Sequence, residues 1–484
     1  MRTLIAVLDK KCENATDTVS SIINTLEKEQ TGNMRIATID TSQRQNGKTA
    51  VAVGYVHPET CTRNEMLTLK LKSSELMLLI GRLYPVVKNA AAIENMDIKL
   101  KQDSLSAAKM FLSENEGDYV FIIVEPEKLI AGRAPIGLQP LYYGENGSIV
   151  ALSSCKKALW MLNIGEIHSF PPGYVAVINR KGAEFMPVKA LGYTEPKPLS
   201  MEKAAETLRK LLEVSVRNCV GDLRDVAVAF SGGLDSSLLA FLAEKCGVNV
   251  YLIYVSLRNQ QQKEIENAKK IAEELRLPFE VHFFSVEDVE KVVPKVVEII
   301  EVPNPLQVSI GVPFYLVAEK AADAGFKVLL AGQGADELFG GYQRYVRDYL
   351  LHGESYVKKV IFNDVTKLHE NNIDRDVKIC NYHDVQLRLP FASYTIADFA
   401  LKLPIELKIE KKNDTLRKLV LRKTAESVGL PMTVVNRPKK AIQYSTGIYG
   451  ALEKIASKQG KTVRDYLNTV FFSFYDQISV ASKS

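Results

Sequence analysis

Ser231-Gly232-Gly233-Leu234-Asp235-Ser236-Ser237 follows the apolar run Val226-Ala227-Val228-Ala229-Phe230 and precedes Leu238-Leu239-Ala240-Phe241-Leu242-Ala243. A strand, a small flexible loop and a helix start together make an anion site. Gly232 and Gly233 let the backbone approach a ligand closely. The first helical turn leaves N–H groups without partners inside the helix, and these point at phosphate oxygens. Ser231, Ser236 and Ser237 add hydroxyl donors, Leu234 belongs to the same phosphate-binding heptad, and Asp235 supplies a carboxylate suited to Mg²⁺. No Lys follows the glycines, so this is not the G-x-x-x-x-G-K-[ST] loop. The bland alternative is a Gly-Ser turn between a strand and a helix.

The rhythm around this heptad is that of an α/β domain. From Met201 the chain reads as helix 201–219, strand 225–230, helix 236–246, strand 249–256, helix 260–276 and strand 279–284. Helices near 288–301 and 310–324 and a strand at 326–331 follow. Ile265, Ala268, Ile271, Ala272 and Leu275 keep an apolar stripe at helical spacing. Alternating strands and helices imply a parallel sheet covered on both faces, with ligands at the carboxyl ends of its strands.

A second loop supports the same site. Val328-Leu329-Leu330 runs into Ala331-Gly332-Gln333-Gly334-Ala335-Asp336-Glu337. Gly332 and Gly334 then line the phosphates, and Asp235 and Asp336 converge on one Mg²⁺, an ion normally held by one or two carboxylates plus phosphates. A helix N-cap is a compatible second role for Asp336. Glu337 is better explained by the helix dipole than by catalysis.

Residues 1–190 follow a different period. Strand candidates at Thr3–Leu8, Thr49–Tyr55, Tyr119–Val124, Leu129–Ala131, Leu141–Tyr143, Ile149–Leu152 and Tyr174–Ile178 are separated by turn residues, with helices expected near 15–29 and 73–90. This pattern predicts a sheet-rich α+β domain. Pro187, Pro196 and Pro198 mark a linker over 183–200. A chain of 484 residues is too long for one ordinary core.

Bulk properties narrow the class. Apolar residues at 46% and charged residues at 25% are ordinary for a soluble globular protein. A net charge of +5 on scattered basic residues gives no argument for nucleic acid. No stretch approaches the ~20 apolar residues of a membrane span, and MRTLIAVLDKK is too short an apolar run for a signal peptide. A cytoplasmic protein is expected. Cys12, Cys61, Cys155, Cys219, Cys246 and Cys380 form no C-x-x-C pair and read as apolar filler. The six histidines show no metal spacing. His383, just before Gln386, is the one that could serve as a base, although a lone histidine is more often structural.

The heptad resembles the pyrophosphate loop of the N-type ATP pyrophosphatases, which cleave ATP between the α- and β-phosphates. The two loops together, in this order, are similar to the synthetase domain of the asparagine synthetase family and its relative β-lactam synthetase. Further segments agree over residues 201–450. Val385-Gln386-Leu387-Arg388-Leu389-Pro390-Phe391 resembles the family's V-E-x-R-x-P-F, and Leu416–Leu430 with Arg437-Pro438-Lys439-Lys440-Ala441 resembles its C-terminal helix and R-P-K-E-A loop. The resemblance implies ATP and Mg²⁺ as cofactors and an acyl-adenylate reaction. A small-molecule carboxylate attacks the α-phosphate, pyrophosphate leaves, and ammonia or an amine displaces AMP to form an amide. It implies catalytic roles for Lys439, on the pyrophosphate, for Gln333 and for Arg388, for which a structural ion pair is the alternative.

The N-terminal half resembles the family's glutaminase domain, an Ntn-hydrolase-like α+β sandwich. Ala131-Gly132-Arg133-Ala134-Pro135-Ile136-Gly137-Leu138-Gln139-Pro140-Leu141-Tyr142-Tyr143-Gly144 resembles R-D-P-x-G-x-x-P-L-Y-Y-G, and Ser169-Phe170-Pro171-Pro172-Gly173 fits a later turn. That domain uses a cysteine directly after the initiator Met, where this sequence has Arg2, which cannot be a nucleophile of this type. The expected organisation is a glutaminase-like domain at 1–190 without glutaminase chemistry, a synthetase domain at 201–450 and a segment at 451–484 of no assigned role. The first domain then serves as a rigid scaffold or as the surface of a homodimer.

A second departure concerns the acceptor end. Asparagine synthetases carry Glu at Gln333 and β-lactam synthetases Tyr, and the family's V-E-x-R glutamate is Gln386. Glutamine hydrogen-bonds but takes no proton at neutral pH. The expected activity is an AMP- and pyrophosphate-forming amide ligase using free ammonia or another amine. The alternatives are β-lactam-synthetase-like amide closure and a non-catalytic ATP-binding regulatory protein. A tRNA-thiolating enzyme shares the loop but needs reactive cysteines.

Overall fold

The structure is a computed structural model that describes residues 3–11, 13–28, 35–41, 49–58, 66–70, 76–85, 103–258, 262–410, 416–438 and 447–481. The chain divides into two compact units, Met1–Ala190 with Phe472–Ser484, and Leu191–Phe471.

Among the described residues the first unit holds two six-stranded sheets. One contains β1 (Thr3–Asp9), β2 (Arg35–Thr41), β3 (Val51–Pro58), β8 (Tyr142–Glu145), β9 (Ile149–Ser153) and β10 (His168–Ser169) in the order β10-β8-β9-β1-β3-β2. The other contains β4 (Met66–Lys70), β5 (Leu76–Tyr84), β6 (Glu116–Val124), β7 (Leu129–Arg133), β11 (Tyr174–Asn179) and β12 (Gly182–Pro187) in the order β12-β11-β7-β6-β5-β4. Among the described residues every pairing between these strands is antiparallel.

Side chains alternate between the two faces of a strand, so each sheet serves two cores. Leu4, Ala6 and Leu8 meet Val120 and Ile122 between the sheets. Ile5 and Val7 pack outward with Ala15, Val19 and Ile22 of helix Ala15–Lys28. On the opposite outer face Met77, Leu79 and Phe121 pack with Ala107, Ala108 and Phe111 of helix Ser104–Glu114. The result is a helix–sheet–sheet–helix sandwich, the α+β layering expected of this half.

Within the helix expected near 73–90, Leu76–Tyr84 is instead strand β5, and residues 73–75 and 86–90 lie outside the described residues. Leu76, Leu78 and Ile80 pack in the inter-sheet core, while Met77, Leu79 and Leu83 pack in the outer one. Burial on both faces erases the period-2 signal and leaves a continuous apolar run that periodicity cannot assign. Helix Ser104–Glu114, which the pattern did not announce, is capped by Asp103, whose carboxylate accepts from the N–H groups of Leu105 and Ser106 at 3.1 and 3.3 Å. The expected linker begins later than residue 183, because β12 occupies Gly182–Pro187.

Both motif segments of this unit have a structural explanation in Arg133. Its guanidinium donates to the carbonyls of Phe170 (2.9 Å) and Gly137 (2.8 Å) and to Ser169 Oγ (3.0 Å), tying the two turns together. The C-terminal helix Val463–Ala481 ends in this unit, where Tyr475 meets the Trp160 ring edge-on at 5.4 Å and Lys157 lies over Phe474.

Among the described residues the second unit is built on a five-stranded, all-parallel sheet. Its strands are β13 (Asp225–Ala229), β14 (Asn249–Leu257), β15 (Phe279–Phe284), β16 (Val328–Leu330) and β17 (Gln386–Arg388), in the order β15-β14-β13-β16-β17. Val226, Ala227 and Val228 are fully buried, as expected of a central strand covered on both faces. The chain steps outward from β13 through β14 to β15 and then returns to lay β16 on the other side of β13. The β13/β16 boundary is therefore the topological switch point, where open α/β sheets place their ligands. Both glycine-rich loops leave the sheet there.

Cys155, Cys219 and Cys380 are buried, and burial pushes the Cys380 thiol well above its ordinary range. Cys12 and Cys61 lie outside the described residues. Among the described residues no helix is long and apolar enough to cross a membrane.

Candidate active site

The phosphate loop is prepared for an anion in three ways. Gly232 takes φ +64 with Arg437 Nη1 and Ala268 so close that a Cβ would meet them at 2.7 and 2.9 Å. Helix Leu234–Lys245 starts at Gly233 with no side-chain cap, so its first N–H groups keep their donor capacity. Ser231 and Ser236 close the loop on itself. Ser236 Oγ accepts from the Ser231 N–H, and Ser231 Oγ accepts from the Gly233 N–H, both at 3.2 Å. The Ser237 hydroxyl is fully buried with no hydrogen-bond partner among the described residues. An orphan of that kind in a folded core calls for an absent ligand or water.

The loop after β16 lies against this one. A Cβ on Gly332 would stand 3.0 Å from that of Asp235, so the two loops are in close contact. Gly334, at φ +91, caps the short helix Ala335–Phe339 that carries Asp336. Asp235 and Asp336 meet on a single cation, the ammonium of Lys418. Its Nζ lies 2.8 and 2.7 Å from the two oxygens of Asp235 and 2.7 Å from Asp336 Oδ1. The Lys418 side chain is only 3% exposed.

Arg437 positions the phosphate loop. It donates to the Gly232 carbonyl at 2.6 Å and to Glu264 Oε2 at 2.9 Å. Lys439, two residues on, lies outside the described residues. Sequence reasoning missed both Lys418 and Arg437 as site residues. Arg437 was within the quoted R-P-K-K-A segment, and Lys418 stood ahead of an apolar helix with nothing local to mark it as buried.

Gln333 stands at the carboxyl end of β16, and its Nε2 donates to Asp376 Oδ2 at 2.8 Å. Asp376 is held by Arg375 through contacts of 2.6 and 2.9 Å, and Arg375 also donates to Gln307 Oε1 at 2.9 Å. Burial raises the Asp376 carboxyl above its ordinary range, against the opposing pull of Arg375. Because a carboxylate only accepts, the Gln333 amide is fixed with NH₂ toward Asp376 and its carbonyl oxygen turned away. Glu337 does more than sit in a helix dipole: it is buried and accepts from Tyr342 Oη at 2.5 Å and Asn372 Nδ2 at 2.6 Å.

Strand β17 lies beside β16 with Gln386 level with Val328 and Arg388 level with Leu330, and His383 precedes it at the amino end; the Arg388 side chain turns back along the strand, away from the carboxyl end. Arg388 Nη1 pairs with Asp222 Oδ1 at 2.7 Å, and its Nε donates to Gln386 Oε1 at 2.8 Å. It also donates to the Cys219 carbonyl. Residues 219–222 lead into the amino end of β13, whereas the phosphate loop leaves its carboxyl end. This geometry favours the structural ion pair for Arg388, with the Gln386 amide oxygen as a further partner. Asp222→Ala is expected to cost about 2 kcal/mol of stability by stranding a buried guanidinium, with ATP affinity unchanged. Urea unfolding and nucleotide titration of the same variant check both halves. His383 packs against the Tyr315 ring at 4.3 Å, and burial pulls its imidazole down to about 4. It is placed for packing rather than for proton transfer at the phosphates.

Comparison with known proteins adds an independent line. The asparagine synthase family profile matches residues 207–354 and 346–473. A Methanocaldococcus jannaschii protein, assigned by name as a glutamine-hydrolysing asparagine synthetase, is 32% identical over 408 residues, 74% of this chain and 74% of that one. The glutamine-hydrolysing asparagine synthetase of Asparagus officinalis is 28% identical over 73% of this chain and 62% of its own length. Asparagine synthetase B of Escherichia coli is 26% identical over 75% of this chain and 67% of its own. This chain belongs to the asparagine synthase family of ATP-dependent ligases.

Proposed function

We propose that this protein activates a small-molecule carboxylate as its adenylate and converts it to an amide, releasing pyrophosphate and AMP. The observation that carries this reading is the convergence of Asp235 and Asp336 at the switch point beside an uncapped helix N-terminus. Two carboxylates suit Mg²⁺, which takes its remaining oxygens from phosphates and water. The described residues hold no cluster of three or more His, Cys, Asp or Glu that would suit a dedicated protein cage. Mg²⁺ bound by Asp235 and Asp336 supplies charge neutralisation of the phosphates.

The chain's own groups do the rest. N–H groups of Leu234, Asp235 and Ser236 and the Ser237 hydroxyl bind phosphate oxygens as charge shifts onto the leaving pyrophosphate. Lys439, by resemblance, adds a cation there. Arg437 holds the loop in register. Gln333 presents its carbonyl oxygen, fixed by Asp376, as an acceptor for an N–H donor. That arrangement suits the ammonium group of an amino-acid acceptor or the incoming ammonia better than it suits a proton transfer.

Ammonia is proposed as the nitrogen donor because Arg2 stands where the family's glutaminase places its cysteine. The test is AMP and pyrophosphate release from ATP and Mg²⁺ with aspartate, supplied with ammonia or with glutamine. AMP formed with ammonia and not with glutamine is the expected result. AMP formed equally with glutamine refutes the ammonia assignment, and no AMP with any carboxylate in a broad panel refutes the ligase.

A further inference from the structure

Lys418 is an unusual occupant of a site read as metal-binding. It is almost wholly buried, and its ammonium contacts both carboxylates at 2.7–2.8 Å. The surroundings are built to hold it there. A Cβ on Gly341 would come within 2.4 Å of Lys418 Cε and 1.9 Å of Asp336 Oδ1, so only glycine leaves room for the pair. Arg417 Nε donates to the Gly341 carbonyl at 2.8 Å and locks that glycine against the preceding residue of the same turn. Lys418 itself sits at φ +66, a left-handed conformation uncommon outside glycine and asparagine. It caps helix Leu419–Ser427, with the Leu419 N–H on the Lys408 carbonyl and the Arg422 N–H on its own. Backbone strain of this kind persists where the surroundings over-determine it.

We propose that Lys418 is a resident counter-cation: in the nucleotide-free protein its ammonium holds Asp235 and Asp336 together and keeps divalent ions off them until ATP phosphates draw it away. The proposal rests on reading those two carboxylates as metal ligands. A divalent ion entering alone meets a like charge already in contact with both ligands, in a pocket where screening by water is weak. ATP changes the balance by bringing phosphate oxygens that accept the ammonium, a compact charge on a flexible four-carbon stem. Metal and nucleotide then bind as a unit, which protects the carboxylates from adventitious cations between turnovers.

The test uses Mn²⁺ as probe and the full-length protein without nucleotide, with free Mn²⁺ followed by its paramagnetic resonance signal. Wild type is expected to bind Mn²⁺ only weakly, and K418M to bind it tighter by about tenfold or more. K418M/D336N is expected to lose that gain, which assigns the ion to these carboxylates. Wild type binding Mn²⁺ as tightly as a folded K418M overturns the proposal. K418Q, which keeps a neutral donor against both acids, serves the same comparison if K418M does not fold. The wild-type arm stands alone as well, because tight Mn²⁺ binding without ATP is sufficient to refute it. No turnover is measured, so a failed ligase assay and a failed counter-cation are separate outcomes.

Discussion

Replacing Asp235 with Ala is expected to lower AMP formation roughly a thousandfold, about 4 kcal/mol of transition-state stabilisation. The residue sits in the first turn of the phosphate helix and faces Asp336 across Lys418. Its loss removes half of the carboxylate pair that would neutralise the phosphates through Mg²⁺. The same change leaves the buried Lys418 ammonium with one acid in place of two, so a stability loss of about 1–3 kcal/mol is expected alongside. The two effects separate in a second variant. Asp235→Ala combined with Lys418→Met relieves the uncompensated cation and regains stability, while AMP formation stays low. Coupling of this kind between residues in contact is what a double-mutant cycle resolves. Unchanged turnover in folded Asp235→Ala sinks the ligase reading. Activity restored by the double variant would mean that the single change acted only through misfolding.

The parts of this site written as local sequence were legible, and the parts written as long-range contact were not. Ser231–Ser237 and Gly332–Asp336 each combine a strand end, glycines and a carboxylate, and the parallel order of strands places both loops at one sheet edge. Lys418 comes from a segment more than eighty residues beyond the second loop, and nothing in its neighbours says that it will be buried between two acids. Arg388 was legible as an ion pair or a catalyst, and its contact with Asp222, 166 positions back in the chain, favours the ion pair. Its backbone lies level with Leu330 at the carboxyl end of β16, but its guanidinium turns back to Asp222, ahead of the amino end of β13. Strand β5 failed for the opposite reason. Leu76-Met77-Leu78-Leu79-Ile80 has strong hydrophobicity but no period, because both of its faces are core. The acceptor end shows the same limit. Gln333 reads as a lost carboxylate in sequence, whereas the fold supplies a carboxylate behind it in Asp376, forty-three positions along the chain.

Lys408→Met is expected to stabilise the protein strongly at neutral pH and little in alkali. Lys408 is 2% exposed and lines a small pocket with Tyr193, Ile361, Phe362 and Leu403. Burial pulls its ammonium down to about 7, against an ordinary value of about 10.4 in the unfolded chain. The folded state therefore disfavours the proton that the unfolded state holds. Below pH 7 the lysine is charged in both states and the fold bears the whole burial penalty, on the order of 4 kcal/mol at about 1.4 kcal/mol per tenfold change in proton affinity. Between about pH 7 and 10 the unfolded chain binds more protons than the native one, so wild-type stability rises with pH. Methionine has a similar length and no charge, and it removes the penalty at every pH. The variant should thus gain most at or below pH 7, a melting rise of roughly 8 °C or more, and the gain should fade as pH approaches 10. Thermal melts of both proteins at pH 6, 7, 8, 9 and 10 give the curve directly. A gain of equal size at pH 7 and pH 10 would assign the effect to packing, and a loss at pH 7 would show that the ammonium is compensated in the folded state.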